Sequence, residues 1–258
     1  MHHKSIGFIG GGRITRIFTE GWQRAGKLPA NITVSDSNSD VIGKLKEKFP
    51  TIQSSQDNVE SSKKDIVFLA VHPPVVAAVC EQIKTALTPR AILISLAPEF
   101  TINKLSDLLG GFKRIARVIP NAPSIIGAGY NPCAFSNALT DEDKAEIKQL
   151  LAPLGEIPEV SEEKLEGYAI LTAMGPTYLW FQMQALREIA CGFGLTTEEV
   201  NVGLKRMVCG AARTLVESGL SPQEVMDLIP VKPLAEMEPQ VTEVYKTKLP
   251  AIFQKIKP

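Results

Sequence analysis

Short apolar segments alternate with helix-like segments along the first 160 residues of the chain. The apolar segments are residues 5–9, 32–35, 65–71, 91–96 and 115–119. Helical patterns at residues 14–26 and 41–49 separate the first three. Strands that are apolar throughout and alternate with helices are typical of a parallel sheet covered on both faces. The pattern also predicts short strands at residues 133–135 and 157–160.

Helical periodicity replaces this alternation after about residue 161. Residues 162–192 and 197–218 show the pattern of long helices, and Thr196 with the acidic residues after it gives a start signal for the second of them. No strand signal returns in the remainder of the chain. The sequence therefore predicts the α/β class, with a doubly wound, mostly parallel sheet in residues 1–161 and an all-helical domain in residues 162–258.

Composition and charge are those of an ordinary folded protein. Apolar residues make up 44% of the 258 residues and charged residues 22%, which excludes a disordered chain, a collagen and a coiled coil. Lysine plus arginine and aspartate plus glutamate both number 28, so no basic excess predicts a nucleic-acid partner. No apolar run approaches the roughly 18 residues of a membrane span, so no membrane partner is predicted.

Cysteine and histidine usage bears on the compartment and on metal binding. The four cysteines form no C-x-x-C pair, and the first residues of the chain are too polar to form a signal peptide. We therefore predict a cytoplasmic protein with reduced thiols. Three histidines without clustered cysteines predict no metal site. His2 and His3 are assigned no role.

The strongest local motif is the glycine run from Gly10 to Gly12, which follows the first predicted strand and precedes a helix. Gly10 permits a tight turn, and Gly12 lets a pyrophosphate approach the backbone at the positive end of the helix. Thr15 stands where a third glycine or an alanine is usual. The motif predicts a Rossmann dinucleotide site. The alternative is a glycine-rich turn that binds no ligand.

Asp36 and Ser37 follow the second predicted strand, and Asp36 comes 26 residues after Gly10. An acid at this position accepts a hydrogen bond from the ribose 2′-hydroxyl and repels a 2′-phosphate. Asp36 therefore favours NAD over NADP. The alternative is that Asp36 only caps the turn that follows it.

Two further polar residues follow predicted strands, where a doubly wound sheet binds its ligands. His72 comes directly after the strand that ends at Val71, which makes it either a cofactor contact or a structural histidine. Asn121 lies between Pro120 and Pro123 in a rigid turn. Its carboxamide is a suitable partner for a nicotinamide carboxamide. The alternative is that Asn121 is an Asx-turn residue.

These segments together resemble the pyrroline-5-carboxylate reductase family, within the wider 6-phosphogluconate-dehydrogenase-like group. The resemblance rests on five segments: residues 7–12, residues 70–73 where the family usually has A-V-K-P, residues 94–97, the R-V-x-P-N-x-P segment at 117–123, and Gly175-Pro176-Thr177-Tyr178 beside the family's G-P-A-Y. The similarity runs along most of the chain.

The resemblance implies an N-terminal Rossmann domain and an all-helical C-terminal domain through which subunits form a dimer or a dimer-based oligomer. It also implies reduction of a small cyclic imine acid to proline by NAD(P)H, with NADPH as the family's suggestion. The cofactor-binding residues then predicted are Ile9, Gly10, Gly11, Gly12, Arg13, Ile14, Asp36, Ser37, Ala70, Val71, His72, Pro73 and Asn121. The substrate-binding residues then predicted are Asn121, Met174, Gly175 and Pro176.

The chain departs from the family pattern mainly on the substrate side. The family's S-P-G-G-T-T, which holds the substrate carboxylate, is replaced by residues 229–236, without its glycines and threonines. Met174 stands where the family has a small polar residue, and His72 replaces the lysine of A-V-K-P. We predict Thr177, Tyr178 and Lys232 as catalytic residues. The alternatives are a solvated Lys232 and a Tyr178 that only packs in its helix.

Three functions remain open from the sequence. The first is a pyrroline-5-carboxylate reductase-like enzyme. The second is a related NAD(P)-dependent oxidoreductase with another substrate, although residues 175–187 contain no lysine of the kind that β-hydroxyacid dehydrogenases use. The third is a nicotinamide-binding regulator that has lost catalysis, which the missing hydroxyl groups suggest.

Overall fold

The computed structural model describes residues 4–258, so that His2 and His3 lie outside the described residues. The chain forms two compact units. The first unit extends to Met174 and includes Ile252–Pro258 at the end of the chain, and the second unit is Gly175–Ala251. The boundary predicted at residue 161 remains a proposal about where the dinucleotide-binding domain ends. It falls after the last strand, whereas the compact units divide after Met174.

The first unit contains a seven-stranded sheet in the order β3-β2-β1-β4-β5-β6-β8. Its strands are β1 (Ile6–Ile9), β2 (Ile32–Ser35), β3 (Gln53–Ser55), β4 (Ile66–Leu69), β5 (Ile92–Ser95), β6 (Ile115–Val118) and β8 (Cys133–Phe135). All neighbours are parallel except β6 and β8. A small second sheet pairs β7 (Gly129–Tyr130) with β9 (Gly155–Glu156). The α/β class with a mostly parallel, doubly wound sheet is confirmed.

Helices cover both faces of this sheet. They are α1 (Arg13–Arg24), α2 (Ser39–Lys48), α3 (Asn58–Ser62), α4 (Pro73–Ile83), α5 (Ile102–Leu108), α6 (Asp141–Leu151) and α7 (Leu165–Tyr168). Neighbouring residues of a strand point to opposite faces, so Phe8 and Ile9 belong to different hydrophobic clusters. On one face Phe8 stacks on Phe68 with 4.5 Å between ring centroids, and Phe18 and Trp22 of α1 meet them edge-on or tilted. This aromatic cluster packs α1 against β1 and β4.

The second unit is helical. It contains α8 (Gly175–Gly192), α9 (Thr197–Glu217) and α10 (Pro222–Asp227), and α11 (Glu238–Ile256) runs from it into the first unit. The predicted start of α9 is confirmed, because Thr196 and Glu199 form a capping box. Within residues 4–258, no helix combines the length and the apolar character that crossing a membrane requires.

Two local predictions were wrong. Residues 157–160 form no strand, and Glu159 makes only an isolated bridge to Cys133. Pro158 has no backbone N–H, so it cannot donate to a ladder. The continuous helix predicted over residues 162–192 is broken into a 3-10 turn (Glu162–Lys164), α7, a π-helical turn (Ala169–Ala173) and α8.

A buried ion pair attaches this broken segment to the sheet. Arg117 of β6 is 1% exposed, and its guanidinium donates to Glu166 at 2.5 Å and to Glu162 at 3.1 Å. Glu162 also accepts the backbone N–H of Ile102 at 2.7 Å. A charge removed from water needs such partners, because an unpaired buried ion costs several kcal/mol. The arginine of the R-V-x-P-N-x-P segment thus holds α7 against the end of β6.

We expect Arg117→Met to lower the free energy of unfolding by about 3–5 kcal/mol, because it leaves the carboxylate of Glu166 buried without its cation. Urea unfolding measures the change. The double variant Arg117→Met/Glu166→Met should recover much of the loss. The control Lys63→Met removes an exposed pair with Glu60 and should leave the midpoint nearly unchanged. Equal effects of Arg117→Met and Lys63→Met would contradict the structural role of the buried pair.

Candidate functional site

The carboxyl ends of the parallel strands meet along one edge of the sheet, where ligands bind in doubly wound folds. Five loops start at this edge. They contain residues 10–12 after β1, Asp36 after β2, residues 70–73 after β4, residues 96–98 after β5 and residues 119–121 after β6. Because these strands are parallel neighbours, residues from distant parts of the chain come together here.

The glycine turn after β1 has the shape of an anion-binding turn. Gly10 has a φ of +102°, and a Cβ added there would lie 2.5 Å from the carbonyl oxygen of Ala70. Around Gly12, by contrast, a Cβ would meet nothing within 4 Å. Helix α1 begins directly after Gly12, with no side-chain cap and no acidic residue in its first turn. Its first N–H groups are therefore available to an anion that approaches over Gly12.

Thr15 fits at the position where glycine or alanine is usual because its hydroxyl has a partner. The side chain is fully buried, and its Oγ1 donates to the carbonyl oxygen of Gly10 at 2.6 Å. The hydroxyl thereby ties the first turn of α1 to the glycine turn. The departure from the sequence motif leaves the geometry of the turn intact.

Asp36 is held against the glycine turn by two hydrogen bonds. Its Oδ2 accepts the backbone N–H of Gly11 at 2.8 Å, and its Oδ1 accepts the backbone N–H of Asn38 at 2.8 Å. The residue therefore does cap the turn that follows β2, and it also fixes a carboxylate beside the glycine turn. Ser37 is exposed next to it. The structure is therefore compatible with both interpretations of Asp36 from the sequence, the cap of the turn after β2 and the acid that binds a ribose hydroxyl.

A cationic cavity bounded by Gly11 and Gly12 of the glycine turn and by α2 was not predicted from the sequence. Its volume is about 250 Å³, and its cationic lining residues are Arg13, Arg16, Lys44 and Lys48. Arg16 and Lys48 are both paired with Glu20, at 2.6 and 2.7 Å. The spacing of Lys44 and Lys48 on one face of α2 is the signal that could have revealed it.

A second cavity, of about 270 Å³, brings together most of the predicted cofactor residues. The predicted residues that line it are Gly12, Arg13, Ile14, Ala70, Val71, His72, Pro73 and Met174. Its other lining residues are Leu96, Ala97, Pro98, Ile119, Pro120, Ala169 and Ala173. We call this the ring cavity, since its mainly apolar walls suit a flat ring. All its lining residues belong to the first unit.

The additional walls of the ring cavity come from two sources. Residues 96–98 and 119–120 follow β5 and β6, so their position at the carboxyl ends of apolar strands could have identified them. Ala169 and Ala173 belong to the π-helical turn, which the sequence did not predict. His72 is the N-cap of α4, and its side chain makes no capping hydrogen bond. Ile9 is buried in β1 beneath the turn.

Asn121 is buried beside the ring cavity but does not line it. Its Nδ2 donates to the carbonyl oxygen of Thr172 at 3.3 Å, and its Oδ1 accepts the backbone N–H of Tyr130 at 3.2 Å. The hydroxyl of Ser124 lies 3.5 Å from the same Oδ1. The backbone N–H of Asn121 donates to Asn131 at 3.1 Å. The side-chain amide is thus engaged with three parts of its own unit.

The predicted catalytic residues belong to the second unit. Gly175, Pro176, Thr177 and Tyr178 form the first turn of α8. The ring centroid of Tyr178 is 5.8 Å from that of Tyr245, and burial together with Tyr245 raises the pKa of Tyr178 above its ordinary value. Lys232 is exposed in the segment between α10 and α11. Their catalytic roles stay predictions. Among residues 4–258, no three His, Cys, Asp or Glu side chains cluster as a metal site requires.

Comparison with known sequences gives a family match and named relatives. The family model of NADP oxidoreductases, coenzyme F420-dependent, matches residues 5–99. The pyrroline-5-carboxylate reductase of Pasteurella multocida is 32% identical over 226 residues, which cover 84% of this chain and 81% of that protein. The enzyme of the same name from Pisum sativum is 29% identical over 224 residues, covering 86% of this chain and 81% of that protein.

Solved structures show the same likeness over nearly the whole chain. A pyrroline-5-carboxylate reductase from Coxiella burnetii has a TM-score of 0.70 and 30% identity, covering 99% of this chain and 95% of that one. The Plasmodium falciparum pyrroline carboxylate reductase, solved with NADP bound, has a TM-score of 0.75 and the same coverage. Its 22% identity shows the fold alone.

Proposed function

Because the chain belongs to the pyrroline-5-carboxylate reductase family, we propose that it reduces a small cyclic imine acid with a reduced nicotinamide dinucleotide. The reaction adds a hydride to the imine carbon and a proton to the imine nitrogen, which turns pyrroline-5-carboxylate into proline. The observation that carries the proposal is the ring cavity. It gathers seven predicted cofactor residues and Met174 at the carboxyl edge of the sheet.

The first unit fits a dinucleotide. The open space over Gly12 and the uncapped start of α1 suit a pyrophosphate, and the apolar walls formed by Val71, Leu96 and Ile119 suit a nicotinamide ring. The bound cofactor would supply the hydride. The residues of this chain would orient its ring and exclude water from the cavity, and positioning of this kind can supply most of the rate.

We propose Thr177, Tyr178 and Lys232 for the substrate side. A tyrosine hydroxyl is protonated near neutral pH, and burial with Tyr245 raises the pKa of Tyr178 further above its ordinary value, so we propose that it donates a hydrogen bond to the substrate. Thr177 offers a second hydroxyl in the same turn of α8. The charge of Lys232 suits a carboxylate and would replace hydroxyl groups that the family carries in the S-P-G-G-T-T segment. Met174, Gly175 and Pro176 remain proposed substrate contacts.

The first test is oxidation of reduced nicotinamide in the presence of pyrroline-5-carboxylate, run separately with NADH and NADPH. We expect imine-dependent turnover with at least one cofactor. Gly12→Ala should weaken cofactor binding about tenfold or more, because a methyl group would occupy the approach to the helix N-terminus. Gly43→Ala is the matched control, since a Cβ at that exposed glycine also meets nothing within 4 Å.

Failure of turnover with both cofactors, while the cofactor still binds, would contradict the reductase proposal. It would favour the alternative of a nicotinamide-binding regulator. Turnover of other imines or oxo acids, but not of pyrroline-5-carboxylate, would move the proposal to a related oxidoreductase.

For the cofactor we propose a preference for NADH. The carboxylate of Asp36 is fixed by the N–H groups of Gly11 and Asn38, at the place where a ribose 2′-hydroxyl is bound in dinucleotide-binding folds. A 2′-phosphate there would meet like charge. One observation favours the alternative, NADPH. Lys44 and Arg13 line the cationic cavity, which also includes Gly11 and Val41, and a Cβ at Gly11 would lie near both Val41 and Asp36.

We expect Asp36→Ser to lower the ratio of the NADPH dissociation constant to the NADH dissociation constant about tenfold, because it removes the charge that opposes a 2′-phosphate. Fluorescence titration of the two reduced cofactors measures the ratio without turnover. Asp40→Ser is the control, since Asp40 is an exposed acid in the first turn of α2. An unchanged ratio in Asp36→Ser would refute the assignment.

We also propose that the protein is a homo-oligomer, a dimer or a multiple of one, joined through the helices of the second unit. Phe181, Phe193 and Val216 are 69%, 80% and 77% exposed, and exposed apolar groups of this size mark interaction surfaces. Sedimentation velocity at micromolar concentration should give at least twice the chain mass of 28.1 kDa. A monomer mass throughout would exclude this arrangement.

The free thiols of all four cysteines are compatible with a cytoplasmic location, which we propose as well.

A further inference from the structure

The amide of Asn121 contacts the chain at a point where the α-helical hydrogen bond between residues four positions apart cannot form. Its Nδ2 donates to the carbonyl oxygen of Thr172, which belongs to the π-helical turn. In a continuous α-helix this carbonyl would accept the N–H of the residue four positions later. That residue is Pro176, which has no N–H. Asn121 therefore donates a hydrogen bond to a carbonyl oxygen that cannot accept the usual α-helical N–H from position 176.

The π-helical turn is one wall of the ring cavity. Ala169 and Ala173 line the cavity from this turn, and Met174 lines it from the next position. The turn is closed by the N–H of Met174, which donates to the carbonyl oxygen of Ala169 at 3.0 Å, five residues back. Such turns are rare and occur frequently at functional sites. The hydrogen bond from Asn121 reaches this wall from outside its own helix.

Asn121 connects this wall to the lining residues that follow β6. The residues before it, Ile119 and Pro120, line the cavity from the end of β6. Its Oδ1 holds the backbone N–H of Tyr130, whose ring lies 5.9 Å from the ring of Tyr168, the residue just before the π-helical turn. The side-chain amide of Asn121 thus contacts the π-helical turn directly at Thr172. It is also linked to the residue before the turn, Tyr168, through Tyr130.

We propose that Asn121 is a positioning residue, which acts on the reaction through the carbonyl of Thr172 by fixing the π-helical turn that forms the wall of the ring cavity. This assignment differs from a direct contact with the nicotinamide carboxamide. The acceptor atom Oδ1 is already occupied by Tyr130 and faces Ser124, and the side chain does not line the cavity. The consequences for turnover rest on the proposed reductase function.

The expected effect on catalysis follows from geometry. Without the donor, the carbonyl of Thr172 loses its bond to the sheet edge, and Ala173 and Met174 become free to shift. A misplacement of about 1 Å near the reacting groups can cost about a hundredfold in rate. Cofactor affinity should change little, because the glycine turn and the start of α1 are unaffected.

The test compares turnover with binding in Asn121→Ala and Asn121→Asp. The aspartate variant keeps the acceptor for Tyr130, and it replaces the donor to Thr172 with a carboxylate oxygen that cannot donate when ionised. It provides a second readout if the alanine variant folds poorly. We expect kcat/KM for pyrroline-5-carboxylate to fall about tenfold to a hundredfold in both. The dissociation constant of the reduced cofactor, from fluorescence titration, should change less than about twofold. A large rise in that constant with unchanged KM for the imine would overturn the proposal in favour of direct cofactor contact.

Hydrogen exchange measured by mass spectrometry tests the positioning without any turnover. Peptides that cover residues 169–177 should exchange several-fold faster in both variants, whereas peptides from α6 should not change. Asn103→Ala, at an exposed asparagine of α5, is the control and should change neither. Unchanged exchange at residues 169–177 would overturn the proposal. If the wild-type chain fails to reduce the imine, the proposed function fails, and this measurement still decides the role of Asn121.

A third measurement uses the proline. Pro176→Ala supplies an N–H four positions after Thr172, so the turn should depend less on Asn121. We expect Asn121→Ala to accelerate exchange at residues 169–177 less in the Pro176→Ala background than in the wild type. Equal acceleration in both backgrounds would show that the carbonyl of Thr172 is not the point of action.

Discussion

The parallel register of β1 with β2 and β4 is the constraint on which the whole site depends. Ile9 is paired with Ser35 on one side and with Leu69 on the other, so the three strands end side by side. The next residues, Gly10, Asp36 and Ala70, therefore lie together. Backbone bonds complete the edge, from Gly10 to Ser35 at 2.7 Å and from Ala70 to Ile9 at 2.8 Å. The glycine turn, the fixed carboxylate and the part of the ring cavity lined by Ala70 are thus placed by the sheet itself.

Two buried polar contacts then attach the segment after residue 161 to this edge. Arg117 holds Glu166 just before the π-helical turn, and Asn121 holds Thr172 inside it. The surrounding contacts are apolar, with Leu165 and Ala169 packed on Ile119. Apolar packing tolerates small slips, whereas a buried charge or amide is satisfied at only one position. The two polar residues of the R-V-x-P-N-x-P segment thereby define where the cavity wall lies.

The family resemblance and the geometry support different parts of the functional conclusion. The glycine turn and residues 70–73 follow the family pattern except that His72 replaces its lysine, and Gly12 and residues 70–73 line the cavity where the dinucleotide is proposed to bind. The segment at residues 229–236, where the family has S-P-G-G-T-T, departs from the pattern, and it lies in the second unit. Membership of the family therefore rests on similarity along most of the chain, whereas the proposed substrate contacts fall partly in segments where this chain departs from the family pattern.

The sequence by itself determined the features that depend on residues a few positions apart. These include the buried strands, the glycine turn that leads into α1 and the capping box of α9, because local periodicity and short motifs encode them. The tertiary structure decided the features that depend on distant partners. Thr15 fits through the carbonyl of Gly10, residues 157–160 form only a bridge, and the helix over residues 162–192 breaks next to the cavity. Asn121 finds its partner 51 residues away, and no local pattern records such a pairing.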